Sequence, residues 1–278
     1  MGSTTVGVVL RDDALLLRDA ARHHRARPVS CGSDCDPEAR LGARRFKPNV
    51  RGMTDQLVTD QIAYYRARAA EYDEWFLRQG RYDRGPEHRR EWFAEVESIR
   101  AALCAHTPFG SVLEPACGTG LWTELLAGHA SSVVAIDSSS EAIALNAQRI
   151  SAPHVRYVTA DIFSWTTEET FDLIFFSFWL SHVPIARFEP FWSSLRSLLR
   201  PHGRVFFVDS LLEQESTAKD HGQLDRSGIV RRRLNDGREF DIVKVFHDPT
   251  ALTDRLQSLG WRAEVHASGR FFLYGSAT

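Results

Sequence analysis

The chemistry-bearing residues of this chain gather between positions 111 and 137. Ser111-Val112-Leu113-Glu114-Pro115-Ala116-Cys117-Gly118-Thr119-Gly120 is a short apolar run that opens into a loop of small residues. A helical stretch, Leu121 to Gly128, follows, and Ser132–Asp137 is a second apolar run ending on a carboxylate. In an α/β protein this succession holds an adenosine-containing cofactor. Small residues let the backbone approach the ligand, and the terminal acid accepts hydrogen bonds from the ribose hydroxyls. A dinucleotide loop wants a third glycine at position 123, which is Thr123, and Glu114 upstream would repel a pyrophosphate. Glu114 suits a cationic ligand instead. Only a small side chain fits at Ala116, and an alanine costs little there if its φ is negative. Taken alone, the loop also reads as an ordinary βα turn with no ligand.

Glu114-x-Ala116-x-Gly118-x-Gly120 resembles motif I of the class I S-adenosylmethionine-dependent methyltransferases, with Ala116 in place of the more usual first glycine. The resemblance continues through Val155–Ile162, which ends a third strand in Ala160-Asp161-Ile162, and through Phe171–Trp179 as the fourth. Arg200–Asp209 follows as helix end, Pro-x-Gly turn and fifth strand, and the likeness runs over residues 62–278. It implies S-adenosylmethionine as cofactor and S-adenosylhomocysteine as product. It also implies cofactor contacts from Glu114, Ala116, Gly118, Gly120, Asp137, Ser138, Asp161, Ile162 and Ser177, with Asp161 on the adenine amino group and Ile162 beside the ring. Tyr64–Asp73 is similar to the N-terminal cap helix of small-molecule members of the family, which implies Tyr65 and Tyr72 over the methionine end. A plain packed aromatic face is the other reading of these tyrosines. The implied activity is methyl transfer to oxygen, nitrogen or carbon of a small molecule. The alternatives are a cofactor-binding regulatory protein without catalysis and an RNA or protein methyltransferase. No Asp/Asn-Pro-Pro-aromatic motif ends the fourth strand and no basic domain is appended, so nucleic acid is not an expected substrate.

In open α/β sheets the site lies beyond the carboxyl ends of the strands. There the chain supplies Ser177 to Pro184, and His182 is the candidate general base, since an imidazole takes a proton near neutral pH. Capping the turn or shaping the pocket is its competing role. Phe178, Trp179 and Asp209 are candidate acceptor contacts. Arg231-Arg232-Arg233 reads as a solvated charge run or as a grip on a substrate carboxylate or phosphate.

These residues require a particular scaffold. The expected fold class is α/β: a Rossmann-like seven-stranded, mostly parallel sheet with helices on both faces and the last strand antiparallel. An N-terminal cap helix and an inserted β-hairpin lid are added to it. Cap helices fall at 55–104, the core at 110–210, the hairpin at 228–246 around Asn235-Asp236-Gly237, and a C-terminal helix and strand pair at 249–278. Residues 1–52, rich in arginine and with no secretory signal, read as a poorly ordered extension ahead of Met53, the expected natural start. With 278 residues, 25% charged, 43% apolar and a formal charge of −2, the chain lacks a general electrostatic grip on nucleic acid or anionic lipid. No apolar run approaches the roughly 18 residues of a membrane span. Cys31, Cys35, Cys104 and Cys117 form no regular framework, so reduced thiols, no metal and a cytoplasmic location are expected. The cap helix and hairpin also offer surfaces for a homodimer.

Overall fold

A computed structural model describes residues 50–278, with side chains from Asp55 onward. The extension expected over 1–52 lies almost wholly outside the described residues. Helix α1 (Val50–Arg68) leads through a 3₁₀ turn at Ala69–Glu71 into the short α2 (Tyr72–Phe76), and α3 (Pro86–Cys104) follows. The cap helix expected through Tyr64–Asp73 is therefore broken at Ala69. Pro86 opens α3 at a position where its missing N–H costs nothing.

The core then alternates: β1 (Ser111–Pro115), α4 (Thr123–His129), β2 (Ser132–Asp137), α5 (Ser140–Arg149), β3 (Val155–Thr159), β4 (Phe171–Ser177), α6 (Ile185–Leu198) and β5 (Leu199–Ser210). A separate hairpin, β6 (Gly228–Arg233) and β7 (Glu239–Lys244), precedes α7 (Pro249–Ser258), β8 (Ala263–Ala267) and β9 (Phe272–Ala277). The seven-stranded sheet has the order β3-β2-β1-β4-β5-β9-β8. Pairings from β3 through β5 are parallel, and β9 is antiparallel to both its neighbours.

Because successive side chains on a strand point to opposite faces, a sheet covered on both sides needs near-continuous apolar runs. Leu113, Ile174, Phe176 and Phe207 pack on one face against Phe188, Trp192 and Leu195 of α6 and Leu256 of α7. Val112, Leu173, Phe175 and Phe206 pack on the other against Trp92, Val96 and Ile99 of α3. The Pro201-His202-Gly203 turn is absorbed into β5 as an irregularity, with pairing jumping from Phe171–Leu199 to Leu173–Arg204. The hairpin does not join the sheet. Its Val230, Leu234 and Ile242 close on Tyr64 of α1, forming a third, smaller cluster.

Candidate active site

The loop after β1 carries three left-handed residues: Ala116 at φ 55°, Gly118 at 54° and Gly120 at 93°. The condition for an inexpensive alanine, a negative φ, is not met at Ala116. The backbone instead reverses there because the next N–H, that of Cys117, bonds Ile136 O of β2 at 2.9 Å. At Gly120 an added Cβ would lie 2.6 Å from Asn146 Oδ1, so the close approach requires glycine. At Gly118 the same atom would meet no protein atom, and Gly118 lines the adjoining cleft.

Asp137, at the end of β2, accepts from Gly118 N at 3.0 Å and from Ser139 N at 2.8 Å. Burial pushes this carboxyl up while these N–H groups pull it down. Glu114 lies on the other side of the loop. It is buried, it accepts from Thr123 Oγ1 at 2.7 Å, and it does not line the cleft. Burial raises its carboxyl to about 8, and Asn146 extends the network by donating to Thr123 Oγ1 at 2.9 Å.

The cleft spans about 800 Å³ of non-protein space, part of it continuous with solvent. Gly118, Asp137, Ser138 and Asp161 supply polar edges, and Ala116, Ile136, Ile162 and Phe163 supply apolar ones. Helix α1 crosses over it, held by the Arg66 guanidinium donating to Ser138 O at 3.1 and 3.3 Å. Trp179 stands on this side too, its ring 5.4 Å from that of Phe163.

A second pocket adjoins the first and shares Tyr65, Tyr72, Phe178 and His182 with it. Phe178 reaches this wall from a strained turn, φ 54°, at the exit of β4. Arg68, Arg232 and Lys244 line the second pocket along with several tyrosines. The Arg68 guanidinium lies 5.0 Å from the Tyr72 ring centre and, among the described residues, bonds only the Tyr82 hydroxyl, at 3.4 Å. Arg232 donates to Thr217 Oγ1 at 3.2 Å and His221 Nδ1 at 3.3 Å, both neutral acceptors. Burial, together with the nearby Arg68 charge, pushes Arg232 below its usual range. Neither arginine pairs with a carboxylate among the described residues. Lys244 differs, since Asp209 Oδ1 lies 3.6 Å from its Nζ and Ser181 Oγ accepts from it at 2.8 Å. Burial lowers Lys244 to about 8; burial works to raise Asp209, but the Lys244 charge and the Ser181 N–H hold that carboxyl below its usual range.

His182 is 5% exposed. Its Nδ1 lies 2.7 Å from Val243 O and its Nε2 2.7 Å from the Tyr65 hydroxyl. Burial, reinforced by the Lys244 charge, lowers it to about 3, so the ring is neutral at pH 7.

Residues 112–203 match a family described as a methyltransferase domain. The solved DhpI–SAH complex is 39% identical, with 80% of this chain and 96% of that one aligned at a TM-score of 0.67. The chain belongs to the class I S-adenosylmethionine-dependent methyltransferases. Nodulation protein S of Sinorhizobium fredii (strain NBRC 101917 / NGR234) is 28% identical over 193 residues, covering 68% of this chain and 83% of that protein. The match to nodulation protein S of Rhizobium tropici, 33% over 105 residues, spans 44% of that relative. Thiocyanate methyltransferase 1 of Arabidopsis thaliana is 36% identical over 104 residues, 35% of this chain and 45% of that one. The cofactor of this methyltransferase is S-adenosylmethionine. The cleft fits it: Gly118 leaves ligand space where a side chain would stand, acids sit at the ends of β2 and β3, and apolar residues lie between them.

Of the residues expected to serve this methyltransferase, Tyr65, Tyr72, Ala116, Gly118, Asp137, Ser138, Asp161, Ile162, Ser177, Phe178, Trp179 and His182 all line the cofactor cleft. Glu114, Gly120 and Asp209 do not. Asp209 is fully buried behind Lys244, accepting from Ser181 N at 2.8 Å. Trp179, a candidate acceptor contact, lines this cleft and not the second pocket, the backbone turning at Phe178. Sequence reasoning missed Arg68 and Lys244. Lysine in the otherwise buried run Ile242-Val243-Lys244 was a usable signal, as was an arginine four positions from both Tyr64 and Tyr72 on one helical face.

Proposed function

We propose that this methyltransferase transfers a methyl group to an anionic small molecule, its nucleophile an oxygen of a phosphate-type or carboxylate group. The carrying observation is the pair of guanidiniums, Arg68 buried and Arg232 half-buried, with no carboxylate partner among the described residues, in a pocket that shares a wall with the cofactor cleft. An unpaired buried charge costs several kcal/mol, and an anionic acceptor offsets that cost on binding. When bound, S-adenosylmethionine supplies an electrophilic methyl carbon; the acceptor oxygen forms the new C–O bond as the S–C electron pair returns to sulfur. Arg68, Arg232 and Lys244 orient the acceptor, and the aromatic wall excludes water. An oxyanion needs no proton removed, so His182, already neutral and engaged at both nitrogens, is assigned no base role. A protonated amine would be repelled by the same cations. The solved DhpI–SAM–HEP complex, 40% identical over 97% of that chain, supports a site for a second ligand besides the cofactor, and thiocyanate in the name of a relative supports an anionic acceptor.

The test is S-adenosylhomocysteine formation with small phosphate, phosphonate and carboxylate acceptors, with thiocyanate, and with amines of matching size. Turnover is expected with oxyanions, and Arg232→Met should raise the acceptor KM about a hundredfold or more. Comparable turnover with amines, or an unchanged KM in that variant, rejects the anionic reading. Preference for thiocyanate would keep the anion and move the nucleophile to sulfur.

A further inference from the structure

The wall between the two pockets holds a hydrogen-bond chain whose direction is fixed at one end. Val243 O is a carbonyl and can only accept, so His182 Nδ1 carries the proton across their 2.7 Å contact. The ring is buried, and its other nitrogen therefore presents a lone pair. The Tyr65 hydroxyl, 2.7 Å from Nε2, must spend its single proton there. Among the described residues that hydroxyl has no other hydrogen-bond partner. Whatever else meets the Tyr65 oxygen meets lone pairs.

We propose that His182 is a positioning residue that locks Tyr65 as an acceptor-only oxygen, and that this oxygen favours the positively charged methyl donor over its neutral thioether product. This rests on the reading of the two pockets as donor and acceptor sites. Tyr65 lines both, and its hydroxyl bonds His182, which also lines both, so a sulfonium and an acceptor meeting there would meet that hydroxyl. The need for such a group follows from the charges nearby. Arg68, Arg232 and Lys244 favour an anionic acceptor but oppose a second cation beside them. A negative dipole end directed at the junction offsets part of that repulsion for the donor. It gives nothing to the product, whose sulfur is uncharged. The lock thereby helps spent cofactor leave. A freely rotating tyrosine would share its proton among other directions, the pocket's solvent included, and lose part of this discrimination whether or not an acceptor is bound.

The experiment is calorimetric titration of the full chain with S-adenosylmethionine and, separately, with S-adenosylhomocysteine, in the absence of acceptor. Tyr65→Phe, which keeps the ring and its packing, should reduce the preference for donor over product about fivefold. His182→Ala should move the ratio in the same direction, and His182→Gln, whose amide oxygen can accept from Tyr65, should restore much of it. If Tyr65→Phe weakens both ligands equally or leaves the ratio unchanged, the lock is overturned while the function stands; this holds even if His182→Ala fails to fold. A general-base histidine would instead leave the ratio untouched and change only turnover. Wild-type protein that binds neither ligand would overturn the function as well as the lock.

Discussion

Ala116 is where local chemistry and the fold pull apart. A non-glycine residue at positive φ carries roughly 1–2 kcal/mol of strain, and Ala116 sits at φ 55° in the loop that faces the cofactor. Ala116→Gly relieves that strain but loosens the unfolded chain, so a net gain of up to about 1 kcal/mol is expected. Urea denaturation measures it, and a loss of stability in this variant would show that the alanine methyl packs productively. Asp137, Gly118 and Asp161 were legible in the sequence because each ends a strand or opens the turn beside it, and a parallel sheet brings neighbouring strand ends together. Glu114 was legible as an acid but not in its direction. Which side of the loop it faces depends on Thr123 and Asn146, and Asn146 arrives on α5, 32 positions later.

At the scale of elements, the hairpin of β6 and β7 is the feature added to the sheet. Asp236-Gly237 between alternating apolar positions announced its turn. Its docking onto α1 was not announced, because the contact joins residues some 170 positions apart. Leu234, 2% exposed, is part of that contact with Tyr64 and Val230. Leu234→Ala should cost about 2–5 kcal/mol, borne by the hairpin rather than by the sheet. Hydrogen exchange should then quicken at residues 228–244 and stay slow in β1, β4 and β5. Uniform quickening would mean that the hairpin and sheet open as one unit. The break in the first helix belongs here too. Periodicity through Tyr65, Ala69 and Tyr72 reads as one helix, yet the 3₁₀ turn at Ala69–Glu71 lets α2 turn independently.

For the whole molecule, the neutral histidines of the pocket walls, His182 buried and His221 half-buried, contribute to the response to acid. His182 is held to about 3 by burial first and then by Lys244, and His221 to about 4 by burial first and then by Arg232. Both lie below the unfolded value near 6.5, so below that pH the unfolded chain takes up protons that the folded one refuses, and stability falls. Between pH 6.5 and 5 His182 alone should cost about 2 kcal/mol; partly exposed His221 adds a smaller share. Unfolding free energies measured across this range should decline more steeply for wild type than for the double variant His182→Gln, His221→Gln. Parallel slopes would contradict the assignment. By itself the sequence determined the succession of core strands and helices, the glycine loop, the acids at the strand ends and the hairpin. Each is written in residues close together along the chain, as periodicity, turn chemistry or a short motif. Only the tertiary structure decided that Arg68, Arg232 and Lys244 share a pocket, and that His182 holds Tyr65 instead of standing free as a base. Those facts depend on α1, the turn after β4 and the hairpin meeting across more than a hundred residues, and no local pattern encodes the charge or hydrogen-bond direction that such a meeting imposes.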